Sequence, residues 1–277
     1  MRIRTTRGAR AVRAFSLGGL ALVLGFVMAA CDSTTSSPHS FGESPGAASA
    51  EPSGAASQPA ASDGIAVDFS NAAEALNGLD SYSYSVEIQS TNTQAGQTVA
   101  HPGTTTMSGT VINAPEKASS LHLVTADVAG TITDETEIMV VGTSAYLRSG
   151  GPSGAWQEIP ADQAAAFTQL LDSFRPEEMF ALYFVPIGTD STFVGQETRN
   201  GVASTHYRGG EDVGAILGSI AGVQGSWSSD IWLAQAGGFL VAAQAGVQGS
   251  DANGGGTFAI EVNITNVDSA PPVTKPI

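Results

Sequence analysis

The sequence offers few residues whose type and spacing could support catalysis or metal binding. Glu135 and Glu137 alternate onto one face of an expected strand, where an acidic pair could carry out acid–base chemistry if a neighbour raised one pKa. A Gly-x-Ser-x-Gly match at residues 42–46 lacks the preceding strand and following helix that a nucleophile elbow needs. The four histidines are far apart in sequence and have none of the short spacings typical of metal-binding motifs, although strands can bring distant residues together. They are His39, His101, His122 and His206. We therefore predict no catalytic residue, no metal site and no enzymatic activity.

The single cysteine, Cys31, has the sequence context for lipid attachment. Residues 28–31 read Met-Ala-Ala-Cys, which resembles the lipobox of bacterial lipoproteins, although leucine is more common at the leading position. The uncharged stretch before it, Phe15 to Ala30, is short for a membrane span of about 20 residues. The basic segment that precedes this stretch contains Arg2, Arg4, Arg7, Arg10 and Arg13. These features predict a signal peptide over residues 1–30, with Cys31 as the new N-terminus carrying a covalent diacylglycerol and no other cofactor.

The remaining chain is strongly acidic. Removing the five arginines of the signal changes the formal net charge from −15 to −20. Nucleic acid is excluded as an expected partner, because binding it requires a basic patch that displaces counterions. Anionic lipid headgroups would also be repelled, so the lipid on Cys31 must provide the attachment to the membrane.

Two further regions follow the signal. Residues 31–64 are rich in Ser, Ala, Pro and Gly and contain almost nothing apolar to bury, which predicts a lipidated N-terminus followed by a disordered tether. Residues 65–277 have the length of a single globular domain.

Within that domain, apolar and polar residues alternate with the period of two that is typical of half-buried strands. Residues 81–88 and 258–265 show the pattern best, and nine further strands are expected between them. Asn200-Gly201 separates two of these strands and favours a type I′ hairpin turn, so the sheet is expected to be an antiparallel meander.

Four short segments show the helical period instead. The first covers about residues 70–78, with Asn71 as the expected N-cap, and Pro176 separates the second helix from the third. Apolar residues of the last three helices form stripes that either pack as ordinary core or line an adaptable apolar pocket. The pocket candidates are Phe167, Leu170, Leu171, Phe174, Met179, Phe180, Ile216, Leu217 and Ile220.

These elements predict an α+β fold: a strongly curved antiparallel sheet, or half-barrel, of about 10–11 strands, with short amphipathic helices on its concave face. The mature pattern of lipobox, tether, opening helix, strands, helices and closing meander resembles the LolA/LolB-like lipoprotein carrier fold. Within it, the segments EIMVVGTSAYLRSGGPSGAWQEIP and SDIWLAQAGGFLVAAQ resemble the actinobacterial LppX–LprAFG lipoproteins.

The resemblance implies a carrier anchored at the extracytoplasmic face of the cell membrane. An apolar cavity between sheet and helices would hold the acyl chains of a lipid or lipoglycan, without turnover, and an envelope transport or signalling protein would be a further partner. The alternative is a non-catalytic sensory or regulatory envelope lipoprotein that binds a partner protein.

Overall fold

The computed structural model describes residues 69–91, 103–185, 191–209, 225–251 and 254–276. The signal, Cys31, the tether and the expected fourth helix lie outside these residues. The described helices are α1 (Ser70–Leu76), α2 (Ala161–Ser173) and α3 (Pro176–Tyr183), and a 3-10 turn covers Gly151–Ser153. The strands are β1 (Ser81–Ser90), β2 (Gly103–Ile112), β3 (Ala118–Asp127), β4 (Ile132–Val141), β5 (Ser144–Ser149), β6 (Gln157–Glu158), β7 (Thr192–Arg199), β8 (Val202–Arg208), β9 (Ser226–Ala234), β10 (Leu240–Asp251) and β11 (Gly254–Thr265).

All eleven strands form one antiparallel sheet. Its order is β6-β5-β4-β3-β2-β1-β11-β10-β9-β8-β7, so two meanders meet where the first and last strands pair. Val86 of β1 lies opposite Val262 of β11 in this central pair. The sheet is open, with β6 and β7 at its edges. The predicted meander is confirmed within each half, β1–β6 and β7–β11, but the halves do not form one meander, because β1 pairs with β11 and β6 does not pair with β7.

The strands bury one face of the sheet under the helices. Tyr82, Tyr84 and Val86 of β1 are all buried, as are Ile260 and the other alternate residues of β11. We call this the inner face, because α3 contacts β1 there, while α2 contacts β3 and β5 and α1 contacts β10. The α+β fold class, with short helices on the inner face of a curved antiparallel sheet, is confirmed.

The helix boundaries follow from proline and from packing. Pro160 immediately precedes α2, and Pro176 is the first residue of α3, where its missing N–H costs nothing. The prediction that Asn71 caps the first helix is wrong, because α1 begins at Ser70 and Phe69 occupies the N-cap position. Phe69 is buried and packs against other aromatic rings, so tertiary contacts rather than a polar cap fix the start of α1.

The β7–β8 hairpin turns at Asn200-Gly201, as predicted. Both residues have positive φ, 51° and 81°, as a type I′ turn requires. Such a turn matches the twist of the two strands that it joins.

Gly201→Ala is expected to lower the free energy of unfolding by about 1 kcal/mol, because a Cβ is disfavoured at positive φ. Steric contact would not contribute, since no atom lies within 4 Å of the position a Cβ would take. Gly195→Ala in β7 is the matched control, because Gly195 is equally unobstructed and has no positive φ. Urea denaturation of the two variants tests this, and equal stabilities would contradict it.

Candidate functional site

The predicted pocket residues of α2 and α3 face two kinds of environment. Leu171, Phe174, Met179 and Phe180 are buried between the helices and the sheet. Phe167 and Leu170 of α2 are only partly buried. The remaining candidates, Ile216, Leu217 and Ile220, lie outside the described residues.

Five aromatic rings form a continuous row across the inner face, here called the aromatic row. Phe193 of edge strand β7 contacts Tyr207 of β8 at a ring-centroid distance of 6.3 Å, and Tyr207 contacts Phe69 at 5.8 Å. Phe69 contacts Phe180 of α3 at 6.3 Å, and Phe180 stacks on Phe184 at 5.5 Å. Phe180 and Phe184 are fully buried, whereas 51% of Phe193 is exposed. The row therefore runs from an accessible ring at the sheet edge to the centre of the core.

Only one of these five rings, Phe180, is among the pocket candidates predicted from the sequence. Phe193 and Tyr207 lie on different strands, and only the register of the β7–β8 pair places them opposite each other. Phe69 precedes the first helix, and no periodic pattern in the sequence predicted that it would be buried. For Tyr207, the alternation of residues between the two faces of β8 was the one signal that could have predicted its position on the inner face.

A carboxyl group lies buried at the start of α3. Glu177 accepts a hydrogen bond from the hydroxyl of Tyr82 on β1, while its second oxygen, Oε2, is buried without a hydrogen-bond partner among the described residues. Burial raises the pKa of Glu177 above its ordinary value, against the opposing effects of the Tyr82 hydrogen bond and Arg175. Burial, together with the Glu177 carboxylate, also raises the pKa of Tyr82 and Tyr84. This site favours the neutral form of Glu177.

The opposite, outer face of the sheet carries a polar cluster around Trp232 of β9. The His206 ring stacks on Trp232 at 4.5 Å, and the Arg199 guanidinium lies 4.6 Å from the centre of the indole. His206 Nε2 is 2.8 Å from Asp230 Oδ1, and its Nδ1 is 3.5 Å from Glu197 Oε1. Burial opposes ionisation of Asp230, but hydrogen bonds from His206, Gln244 and Arg208 outweigh it and lower the pKa of that carboxyl. The cluster is therefore a network of paired acidic and basic side chains, in which the buried Nε of Arg199 has no hydrogen-bond partner among the described residues.

A second outer-face cluster joins His122 to the acidic pair Glu135 and Glu137. His122 of β3 lies directly opposite Glu137 of β4, and Glu135 is two residues away on the same face. His122 Nε2 is 2.9 Å from Glu135 Oε1, and Arg148 of β5 pairs with Glu137. One ligand-type atom from each of His122, Glu135 and Glu137 lies within 4.8 Å of the others.

A groove of about 250 Å³ also lies on the outer face, over the central strands. Small residues, including Ala245, Gly246 and Ala259, form its floor, and its polar rim consists of Glu87, Gln89, Ser228, Gln244 and Glu261. It lies on the face opposite the helices, so it is distinct from the predicted apolar pocket. Among the described residues, no helix has both the length and the apolar character needed to cross a membrane.

No family model and no curated protein matches this chain. Among solved structures, the chain is similar to the Mycobacterium tuberculosis lipoprotein LppX, with 14% identity, a TM-score of 0.39, and coverage of 75% of this chain and 96% of that one. It is also similar to LprF from Mycobacterium bovis, with 14% identity, a TM-score of 0.40, and coverage of 74% and 93%. For the MucA/MucB complex of Pseudomonas aeruginosa the identity is 13%, the TM-score 0.29, and the coverage 74% and 57%. The fold assignment rests on this chain's own strand order, and two proteins of the group that the sequence resembles are among the structures similar to it.

Proposed function

We propose that this chain is an extracytoplasmic lipoprotein, anchored to the membrane by a diacylglycerol on Cys31, that carries a hydrophobic ligand between the inner face of the sheet and the helices. The ligand class is the acyl chains of a lipid or lipoglycan. The pocket residues are the candidates on α2 and α3, together with the rings of the aromatic row.

The aromatic row is the observation that carries the proposal. A folded domain gains stability by burying aromatic surface. The half-exposed ring of Phe193 continues a buried aromatic row, yet its exposed surface contributes nothing to that stability until another molecule covers it. Acyl chains packed against Phe193 would extend the same apolar surface to the edge of the sheet. The partly exposed Phe167 and Leu170 on α2 would add a second apolar contact.

The direct test is to purify the full lipidated chain from its own membrane in mild detergent and identify bound molecules by native mass spectrometry. The diacylglycerol on Cys31 is covalent, so it stays in the protein mass, whereas a carried lipid dissociates on activation. Non-covalent lipid in stoichiometric amount is the expected result. A chain without it would contradict carriage and favour the alternative of a partner-binding lipoprotein.

Phe193→Ser is expected to weaken lipid affinity about fivefold, which corresponds to the loss of about 1 kcal/mol of apolar contact at a half-buried ring, and so to lower the amount of co-purified lipid. Val128→Ser is the matched control, because Val128 is 68% exposed and lies in the turn between β3 and β4, far along the sheet from β7. Lipid is quantified per mole of protein after organic extraction. Equal lipid content in the two variants would exclude Phe193 from the pocket.

A further inference from the structure

We propose that His122, Glu135 and Glu137 form a binding site for a divalent transition-metal ion, of which zinc is the best-matched, on the outer face of the sheet. The site is independent of the proposed lipid pocket, which lies on the inner face. One imidazole nitrogen and two carboxylate oxygens form a donor set that zinc accepts.

The backbone already places the three side chains for this role. His122 and Glu137 form a cross-strand pair, and Glu135 and Glu137 share a face of β4, so all three side chains project from adjacent positions of a paired ladder. Their ligand atoms lie within 4.8 Å of one another. The ligand atoms of a tetrahedral ion with bonds of about 2.1 Å lie roughly 3.4 Å from one another. Side-chain rotations that move the ligand atoms by about 1 Å would therefore bring them to coordination distance.

Neighbouring residues hold the two carboxylates in place. Arg148 pairs with Glu137, and its guanidinium lies 4.9 Å from the centre of the Trp156 ring. Gly151 lies so close to Glu135 that a Cβ on it would be 2.2 Å from Glu135 Oε2. Metal-binding carboxylates are commonly oriented by such outer partners. One oxygen of Glu137 remains available to an ion while the other pairs with Arg148.

Access and charge also fit a cation. The His122 side chain is 41% exposed, so an ion can enter from solvent, whereas the carboxylates are mostly covered, at 17% and 19%. Among the described residues, the two carboxylates face one guanidinium, that of Arg148, and the whole chain carries a formal charge of −15, which raises the local concentration of cations. Three protein ligands leave at least one coordination position open to water.

The test uses the full lipidated chain in detergent, stripped with a chelator and titrated with Zn²⁺ by calorimetry. One zinc per chain is expected, together with a rise in Tm, because an ion that binds only the folded state stabilises it. His122→Gln is expected to weaken the affinity at least about tenfold, and so is Glu135→Gln, which keeps the imidazole.

His206→Gln is the matched control. His206 also contacts two carboxylates, but through its two different ring nitrogens, so these groups cannot converge on one ion. Its zinc affinity should equal that of the unmodified chain. Absence of stoichiometric zinc binding, or equal loss of affinity in the His122 and His206 variants, would overturn the proposal.

Discussion

Phe180→Ala is expected to lower the free energy of unfolding by about 3–5 kcal/mol, the usual cost of deleting a fully buried aromatic ring. Phe180 is 0% exposed and contacts both Phe69 and Phe184. Its removal would leave a cavity at the point where α1, α3 and the sheet meet. A loss of this size is a large part of the 5–15 kcal/mol that typically stabilises a domain.

Phe193→Ala is the control from the same aromatic row. Its ring is half exposed and contacts one aromatic ring among the described residues, that of Tyr207, so the expected loss is about 1 kcal/mol. Urea denaturation followed by tryptophan fluorescence measures both variants under identical conditions. Losses of similar size would show that Phe180 is not at the centre of the core.

The sheet was predictable because its signals are local. Strict alternation of apolar and polar residues predicted β1 and β11. Asn200-Gly201 predicted a hairpin, because both residues readily adopt the positive φ that a type I′ turn needs. The helical period likewise predicted α2, and Pro176 predicted where α3 begins. Each of these signals acts within a few residues, so no knowledge of the tertiary structure was needed.

The candidate sites were harder to predict because they depend on register. His122 and Glu137 are fifteen residues apart in sequence, and only the β3–β4 pairing places them side by side. The Phe69–Tyr207 contact connects residues that are still further apart. Periodicity did find Leu171, Met179 and Phe180, which are buried in α2 and α3, but a buried core residue and a pocket residue have the same sequence pattern. Their role in a pocket stays a prediction.

Glu177→Gln is expected to stabilise the protein at neutral pH. Burial raises the pKa of Glu177, so ionisation of this carboxyl costs more in the folded chain than in the unfolded one. Glutamine keeps an oxygen that can accept the Tyr82 hydrogen bond, and it has no charge to desolvate. The gain should be about 1.4 kcal/mol for each unit by which the pKa is raised.

The pH dependence distinguishes this cause from better packing. Below the ordinary glutamate pKa of about 4.3, the carboxyl is protonated in both states and its stabilising contribution is fully present. As the pH rises, the unfolded chain releases the proton first, so that contribution declines until the raised pKa of the folded chain has been passed. The stability difference between the Gln variant and the unmodified chain should therefore grow with pH across this window and then level off.

Glu178→Gln provides the control, because Glu178 is the next residue in the same helical turn and its side chain is exposed. It should be neutral or slightly destabilising, since an acidic residue in the first turn interacts favourably with the helix dipole. Taking the difference between each variant and the unmodified chain cancels the titration of the other acidic groups. A Glu177 difference that does not change with pH would mean that this carboxyl has the same pKa in the folded and unfolded chains, which would contradict a pKa raised by burial.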